Sequence, residues 1–305
     1  MVEFAPHSLG NFKQGFAGDV YNTAVYTKRL LADNADVGIL TSIGTDKLSN
    51  QMVKAFEEES INTNFVLKIP DKQPGAYLID ISATGERSFV YWRNNAAARS
   101  TMTVLGKVKQ QSIVMTTDVF YFSGISLAIL YKEDREELWL LLTHLKKAGK
   151  KIVFDSNYRA SLWSDKGEAI TAFEKAFTYS DIVFAGVEDL ALLMEINTPE
   201  ALSEYLATFS IDELIIKNGE KNVLCINKHR YQWVDIVPLE NVVDSTAAGD
   251  SFNAGYLMAR NTGLSVTDAA NIGCLVARFV IGQRGAIVDR HKFTEFINKE
   301  LSDIT

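Results

Sequence analysis

The chain has 305 residues, 47% of them hydrophobic and 23% charged, enough apolar material for one large α/β domain or two smaller ones, which excludes disordered and fibrous classes. A net charge of -7 speaks against nonspecific binding to nucleic acid, and no stretch reaches the ~18 to 20 apolar residues of a membrane helix. Cys225 and Cys274 have neither the number nor the spacing of a disulfide framework or a thiolate metal site, so a reducing, cytoplasmic setting fits.

The N-terminal run MVEFAPHSLG lacks the basic region and apolar core of an export signal. From residue 36, DVGILTSI begins a series of short β-branched or aromatic runs, continued by DVFYFSGI at 118, KIVFD at 151, DIVFAG at 181 and ELIIK at 213. Helical patterns alternate with them, which predicts repeated strand-helix units and a mostly parallel sheet. One such helix follows Asp46, with Leu48, Met52 and Phe56 on one stripe. Another spans residues 133–149: Leu138, Leu141, Leu142 and Leu145 recur at helical spacing, acids fill the first turn, lysines the last, and Gly149 is the expected stop.

Residues 73–94, QPGAYLIDISATGERSFVYWRN, break that rhythm and predict an antiparallel hairpin turning at Ala83-Thr84-Gly85. On its second strand Arg87, Phe89, Tyr91 and Arg93 share a face. Such a face suits either a lid over a ligand or a solvated strand with aromatic packing.

The run VDSTAAGDSFNAGYL, residues 243–257, carries the chemistry. Val242 and Val243 read as the end of a strand, Ala247-Ala248-Gly249 as a tight turn, and Phe252, Tyr256 and Ala259 as the stripe of a helix. Small side chains admit a ligand to the backbone, and the amides of Ala248, Gly249 and Asp250 could hold a phosphoryl group at the helix N-terminus. Asp250 would then stand beside it as a base for a substrate hydroxyl. On the residues alone it could equally be a helix-stabilising acid. Neither a Walker-type loop nor a GxGxxG after a strand is present. His7, His144, His229 and His291 lack metal-ligand spacing, and Trp139 and Trp163 read as packing residues.

DSTAAGDSFNAGYL resembles the signature of the ribokinase-like (PfkB) sugar kinases, FAGDVYNTAVY at 16–26 resembles their sugar-binding motif, and IIKNGEKNV at 215–223 their nucleotide-side strand and turn. GERSFVYWRNNAAA, FSGISLAIL and FDSNYRASLW are similar to the branch acting on a keto-deoxy sugar acid. The resemblance implies a single ribokinase-like α/β domain over 1–305, a mostly parallel sheet flanked by helices, and a small β lid from about 9–17 and 66–95. It implies ATP-dependent, Mg2+-assisted phosphorylation of the terminal hydroxyl of 2-keto-3-deoxygluconate. Another sugar kinase such as a fructokinase, or a noncatalytic sugar-acid sensor, is the alternative. Asp250 would be the base, with Ala248, Gly249 and the Asp250 amide as the anion hole. Gly18, Asp19, Asn22, Tyr77, Tyr91, Arg93 and Arg159 would face the sugar, and Asn157, Arg159, Lys217, Gly219 and Ala247 the nucleotide. A sugar carboxylate is best met by a fixed guanidinium, for which Arg93 and Arg159 are the candidates. A monovalent cation near Asp244 and Ser245, and a homo-oligomer formed through the lid, are further implications.

The chain departs from the family pattern in places. Ala17 stands where a glycine is usual, Ala185 and Glu188 where an asparagine-acid pair is linked with magnesium, and Asn222 where another glycine is usual. Glu188 is accordingly expected to act on the metal only indirectly, through water. An apolar strand that usually precedes a segment like MVEFAP is missing, from which the expectation is a shortened chain with lower stability than a longer relative.

Overall fold

The structure is a computed structural model and describes residues 1–8, 10–81 and 87–302. At its N-terminus β1 (Val2–Ser8) and β2 (Asn11–Phe16) form an antiparallel pair. Of the run from residue 36 only Thr41–Ile43 is a strand, β3, and it pairs in parallel with β4 (Val66–Lys68) across the helix Lys47–Glu58. That helix starts where foreseen, because Asp46 accepts from the amides of Leu48 and Ser49 at 2.8 and 3.0 Å.

The hairpin is present as β5 (Ala76–Ile81) and β6 (Arg87–Trp92), antiparallel with Tyr77 opposite Tyr91 and Ile79 opposite Phe89. Its expected turn at Ala83-Thr84-Gly85 and the side chain of Arg87 lie outside the described residues. β5 also lies parallel to β1, giving a four-stranded sheet in the order β2-β1-β5-β6. The expected lid boundaries are corrected accordingly: β1 is one of its inner strands, while residues 66–68 belong to the body, because Leu67 is buried in the main core.

The larger sheet consists of β7 (Val119–Ser123), β8 (Lys151–Asp155), β9 (Ile182–Gly186), β10 (Glu213–Asn218), β11 (Asn222–Asn227) and β12 (Arg230–Asp235), in the spatial order β12-β11-β10-β9-β8-β7. From β7 to β10 the strands are parallel; β11 and β12 complete the sheet antiparallel. Continuous buried runs in β8 and β9 follow from helices on both faces, since a strand covered twice has no side to offer water. Ile152, Phe154, Val183 and Ile216 pack against Leu138, Leu141, Leu142 and Leu145 of the helix Lys132–Lys147. Val153, Phe184 and Ile215 point the other way, against Phe252 and Tyr256 of the helix Ala248–Asn261. Gly149, at φ 72°, ends the first of these helices in the left-handed conformation expected of it. Trp139 is buried and stacks on Tyr179, and Trp163 packs edge-on to Phe173, so both serve the core.

Val242 and Val243 do not finish a strand. Both are exposed, and the Val243 and Asp244 amides instead donate to the carbonyl of Ile281 at 2.9 and 3.1 Å. The approach to Asp250 is therefore anchored to the end of a neighbouring helix (Val266–Ile281).

Candidate active site

Four parallel strands deliver their C-terminal residues to one place, the edge of an open α/β sheet where ligand sites form. Ser123 closes β7, Asp155 closes β8, Gly186 closes β9 and Lys217 lies at the end of β10. Two helix N-termini meet them: Asp19–Leu31, capped by Gly18, and Ala248–Asn261, capped by Ala247.

Asp250 is the third residue of its helix and is buried. A helix-capping role is corrected by its contacts: the helix start has no side-chain cap, and the Asp250 carboxylate accepts instead from Asn22 Nδ2 at 2.8 Å. The orientation of Asn22 follows from its other end, where Oδ1 accepts from the Gly18 amide at 3.2 Å. Gly18 has φ 151°, a value that disfavours any side chain, so the glycine is what lets the turn present its amide to Asn22. Burial pushes the Asp250 carboxyl up from 3.8 to about 8, with the charges of Asp19 and Asp155 adding to it and Asn22 and Lys217 opposing. A carboxylate tuned to that range can take a proton near neutral pH.

Beside it, the Lys217 ammonium donates to Asp155 Oδ1 at 3.0 Å and to Asn253 Oδ1 at 3.2 Å. It stands 3.5 Å from where a Cβ on Gly249 would be, so the first turn of the Asp250 helix lies against a fixed positive charge. Ala247 adopts the left-handed conformation, φ 63°. The Ala248 amide donates to the Ser245 carbonyl at 3.2 Å. An anion at this turn would thus rely chiefly on the amides of Gly249 and Asp250, a narrower set than the three amides expected. Gly219, φ 60°, turns the chain between β10 and β11, and the Glu188 carboxylate lies 3.7 Å from where its Cβ would stand.

On the opposite side, Asp19 accepts from Ser123 Oγ and from Asn157 Nδ2, the latter at 3.4 Å. Burial raises its pKa above the ordinary range. Arg159 donates to Asp189 at 3.2 Å and to the carbonyl of Tyr158 at 2.8 Å, and its charge acts on Asp19. Arg93 lies over the Tyr91 ring, 3.9 Å from its centre, within the electrostatic reach of Asp19 and Arg159. Tyr77 is buried, donates to Glu3 and packs with Phe89 and Tyr91 at centroid separations of 6.1 and 5.9 Å. Tyr77 and Ile79 belong to one apolar cluster with Ala17 and Ala286, against which Ala247 packs, so the inner face of the four-stranded sheet is turned towards the start of the Asp250 helix.

The family model described as pfkB family carbohydrate kinase matches residues 3–292. The chain belongs to the pfkB family of carbohydrate kinases. It is 39% identical over 293 residues to the 2-dehydro-3-deoxygluconokinase of Dickeya dadantii, with 94% of each chain covered. To the enzyme of the same name from Escherichia coli K12 it is 38% identical over 295 residues, covering 95% of each. Its ribokinase-like fold is shared with the fructokinase of Xylella fastidiosa solved with bound ATP, at a TM-score of 0.82 and 20% identity, covering 98% of this chain and 96% of that one.

The residues whose motifs resemble the family's are brought together: hydrogen bonds join Gly18, Asn22 and Asp250, and Asp19 and Asn157, while the charges of Arg159 and Lys217 act on Asp19 and Asp250. Two departures from the family pattern carry no backbone strain. Ala17 is buried without a positive φ, and Asn222 opens β11 in extended conformation, its side chain accepting from Asn218 Nδ2 at 3.1 Å across the turn. Sequence reasoning assigned no role to Tyr121, Asn253, Asp189 or Asp155. Tyr121 and Asp155 could have been found by asking which polar side chains sit near the C-terminal ends of parallel strands.

Proposed function

We propose that this pfkB kinase transfers the γ-phosphoryl group of ATP to the terminal hydroxyl of 2-keto-3-deoxygluconate (2-dehydro-3-deoxygluconate), giving the 6-phosphate and ADP. The observation that carries the reading is the position of Asp250: a buried carboxylate with a raised pKa, held by Asn22 on the sugar side and abutting the turn at Ala247-Ala248-Gly249. The hydroxyl would lose its proton to Asp250 as its oxygen bonds to the γ-phosphorus, and the bond from that phosphorus to the bridging oxygen would break with ADP leaving. The amides of Gly249 and Asp250 and the Lys217 ammonium would take up charge developing on the phosphoryl oxygens. Lys217 and Gly219 would hold the nucleotide, with Asn157 and Arg159 between it and the sugar.

The sugar acid is supported by two guanidinium groups near Asp19, since Arg93 and Arg159 bring forked donors to a carboxylate that a neutral sugar lacks. Gly18, Asp19, Asn22, Tyr77 and Tyr91 would meet its hydroxyl and keto groups. Magnesium would offset the nucleotide charge, and Glu188, an exposed oxygen donor beside Gly219, fits a contact through metal-bound water. A monovalent cation beside Asp244 and Ser245 would order the same loop that Asp244 already ties down by accepting from Thr246 and Gly285 at 3.1 and 2.8 Å.

A cytoplasmic setting agrees with the two free cysteines. Exposed Phe12, Val90 and Trp92 on the four-stranded sheet support a homo-oligomer, which light scattering would test.

The deciding experiment is an ADP-release assay with ATP and magnesium, comparing 2-keto-3-deoxygluconate, fructose, ribose and gluconate. Selective turnover of the keto-deoxy acid, lost in Asp250→Asn, is expected. Preference for fructose would overturn the substrate, and ligand binding without turnover on any sugar would overturn the reaction.

A further inference from the structure

Behind the residues that would touch substrate lies a buried polar chain of which the reaction as proposed uses only Lys217. Asp155 accepts from Lys217 Nζ at 3.0 Å through one oxygen and from the Tyr121 hydroxyl at 3.4 Å through the other. That hydroxyl also accepts from Asn253 Nδ2 at 3.1 Å, and Asn253 Oδ1 in turn accepts from Lys217. Thr23 Oγ1 joins from the sugar-side helix at 3.5 Å from Tyr121. The ring of contacts therefore runs from β8 to β10, to the helix that carries Asp250, to β7 and back. Asp155 is 2% exposed and Asn253 fully buried, so neither has water as an alternative partner.

We propose that Asp155 is a positioning residue: it fixes the Lys217 ammonium against the first turn of the Asp250 helix and, through Tyr121 and Asn253, locks that helix to the ends of the parallel strands. The proposal rests on the kinase reading above. An unrestrained lysine is a flexible point charge, and a cation meant to meet a phosphoryl group in one place gains from being held before the group arrives. The partner must be a carboxylate, because a neutral amide would leave a mostly buried ammonium poorly compensated.

The ring also sets the electrostatic surroundings of Asp250. Asp19, Asn22 and Tyr26 face it from the helix Asp19–Leu31, Tyr121 from β7, Asp155 from β8 and Lys217 from β10. Removing the Asp155 charge should ease ionisation of Asp250, while removing Lys217 should hinder it.

The test compares Asp155→Asn, Lys217→Met and Tyr121→Phe. In the first arm, ADP release with MgATP and 2-keto-3-deoxygluconate is followed from pH 5.5 to 9. Asp155→Asn should lower kcat about 10- to 100-fold with the sugar KM changed less than about threefold, and shift the acid limb of kcat/KM down by about half to one pH unit. Lys217→Met should shift that limb upwards. Tyr121→Phe should lower kcat about 3- to 10-fold, because the two links through Lys217 remain. The second arm needs no turnover: the melting temperatures of wild type, Asp250→Asn, Asp155→Asn and the double variant are followed over the same pH range. Asp155→Asn should shrink the pH-dependent gap between Asp250 and its asparagine variant. A folded Asp155→Asn protein with unchanged kcat and limb, or a loss of rate and melting temperature without movement of either pH dependence, would overturn the proposal. Failure of the wild type on every sugar together with the expected second arm would overturn the kinase reading, and with it the role of Asp155 in holding Lys217 for a phosphoryl group, while leaving the electrostatic tie between Asp155 and Asp250 supported.

Discussion

Replacing Asp250 by asparagine should make the protein more stable and almost inactive. Its carboxyl moves from 3.8 to about 8 because it is buried between Asp19 and Asp155. A carboxyl raised in the folded state binds its proton more tightly there than in the unfolded chain. Its contribution to stability is therefore complete below about pH 4 and is lost as the pH climbs towards 8. At ~1.36 kcal/mol per pH unit the loss reaches roughly 4 kcal/mol by pH 7, and reorganisation around the ionised group should leave about 1 to 3 kcal/mol measurable. Asparagine is nearly isosteric, keeps an oxygen for Asn22 Nδ2 to donate to, and does not titrate. Thermal melts at pH 4.5, 6, 7.5 and 8.5 should show the variant several degrees above wild type at pH 7.5 and the gap closing towards pH 4.5. Turnover should fall about 10²- to 10⁴-fold in the same protein. A variant no more stable than wild type at pH 7.5, or a gap that does not change with pH, would refute the account of Asp250 as a carboxyl held at an electrostatic cost.

Other substitutions probe the supports of that carboxyl. Asn22→Ala removes the hydrogen bond that favours the charged form, so the acid limb of kcat/KM should move to higher pH and kcat should drop about tenfold or more, read in the same ADP assay. Arg93→Met should raise KM for the keto-deoxy acid about 10- to 100-fold while leaving weak turnover of neutral sugars unchanged; an equal loss on both would remove Arg93 from carboxylate recognition. Gly18→Ala forces a side chain onto φ 151° and should cost about 1 to 3 kcal/mol in urea unfolding, with a loss of rate because the Gly18 amide no longer orients Asn22.

The periodic elements were legible in the sequence because their signals are local. The Leu138-Leu141-Leu142-Leu145 stripe buries as its spacing requires, and Lys151–Asp155 is a strand because a run of apolar residues covered on both faces can be little else. Where local signals compete, the reading slipped. Val242 and Val243 have the composition of a strand end, but the sheet ends at β12, and their segment finds its hydrogen bonds at the end of a helix. Residues 66–68 look continuous with the hairpin, yet burial of Leu67 in the main core draws them to the body.

The site divides along the same line. That small residues precede Asp250 is visible in the chain, but whether its carboxylate caps the helix or serves a ligand depends on a partner, Asn22, 228 positions away. A cap and a base have the same sequence signature; they differ only in what the carboxylate accepts. The ring of Tyr121, Asp155, Lys217 and Asn253 is less legible still, since its members lie on four elements and none bears a motif that names another. What the sequence does contain is the reason they meet: parallel strands carry their C-terminal residues to a common edge, so a polar residue that ends or nearly ends a buried strand is brought beside the others by topology. Asp155, at the end of a strand whose preceding residues 152–154 are buried and apolar, is where burying a charge is costly unless a partner is waiting, and Lys217 near the end of β10 is the cation the same topology supplies.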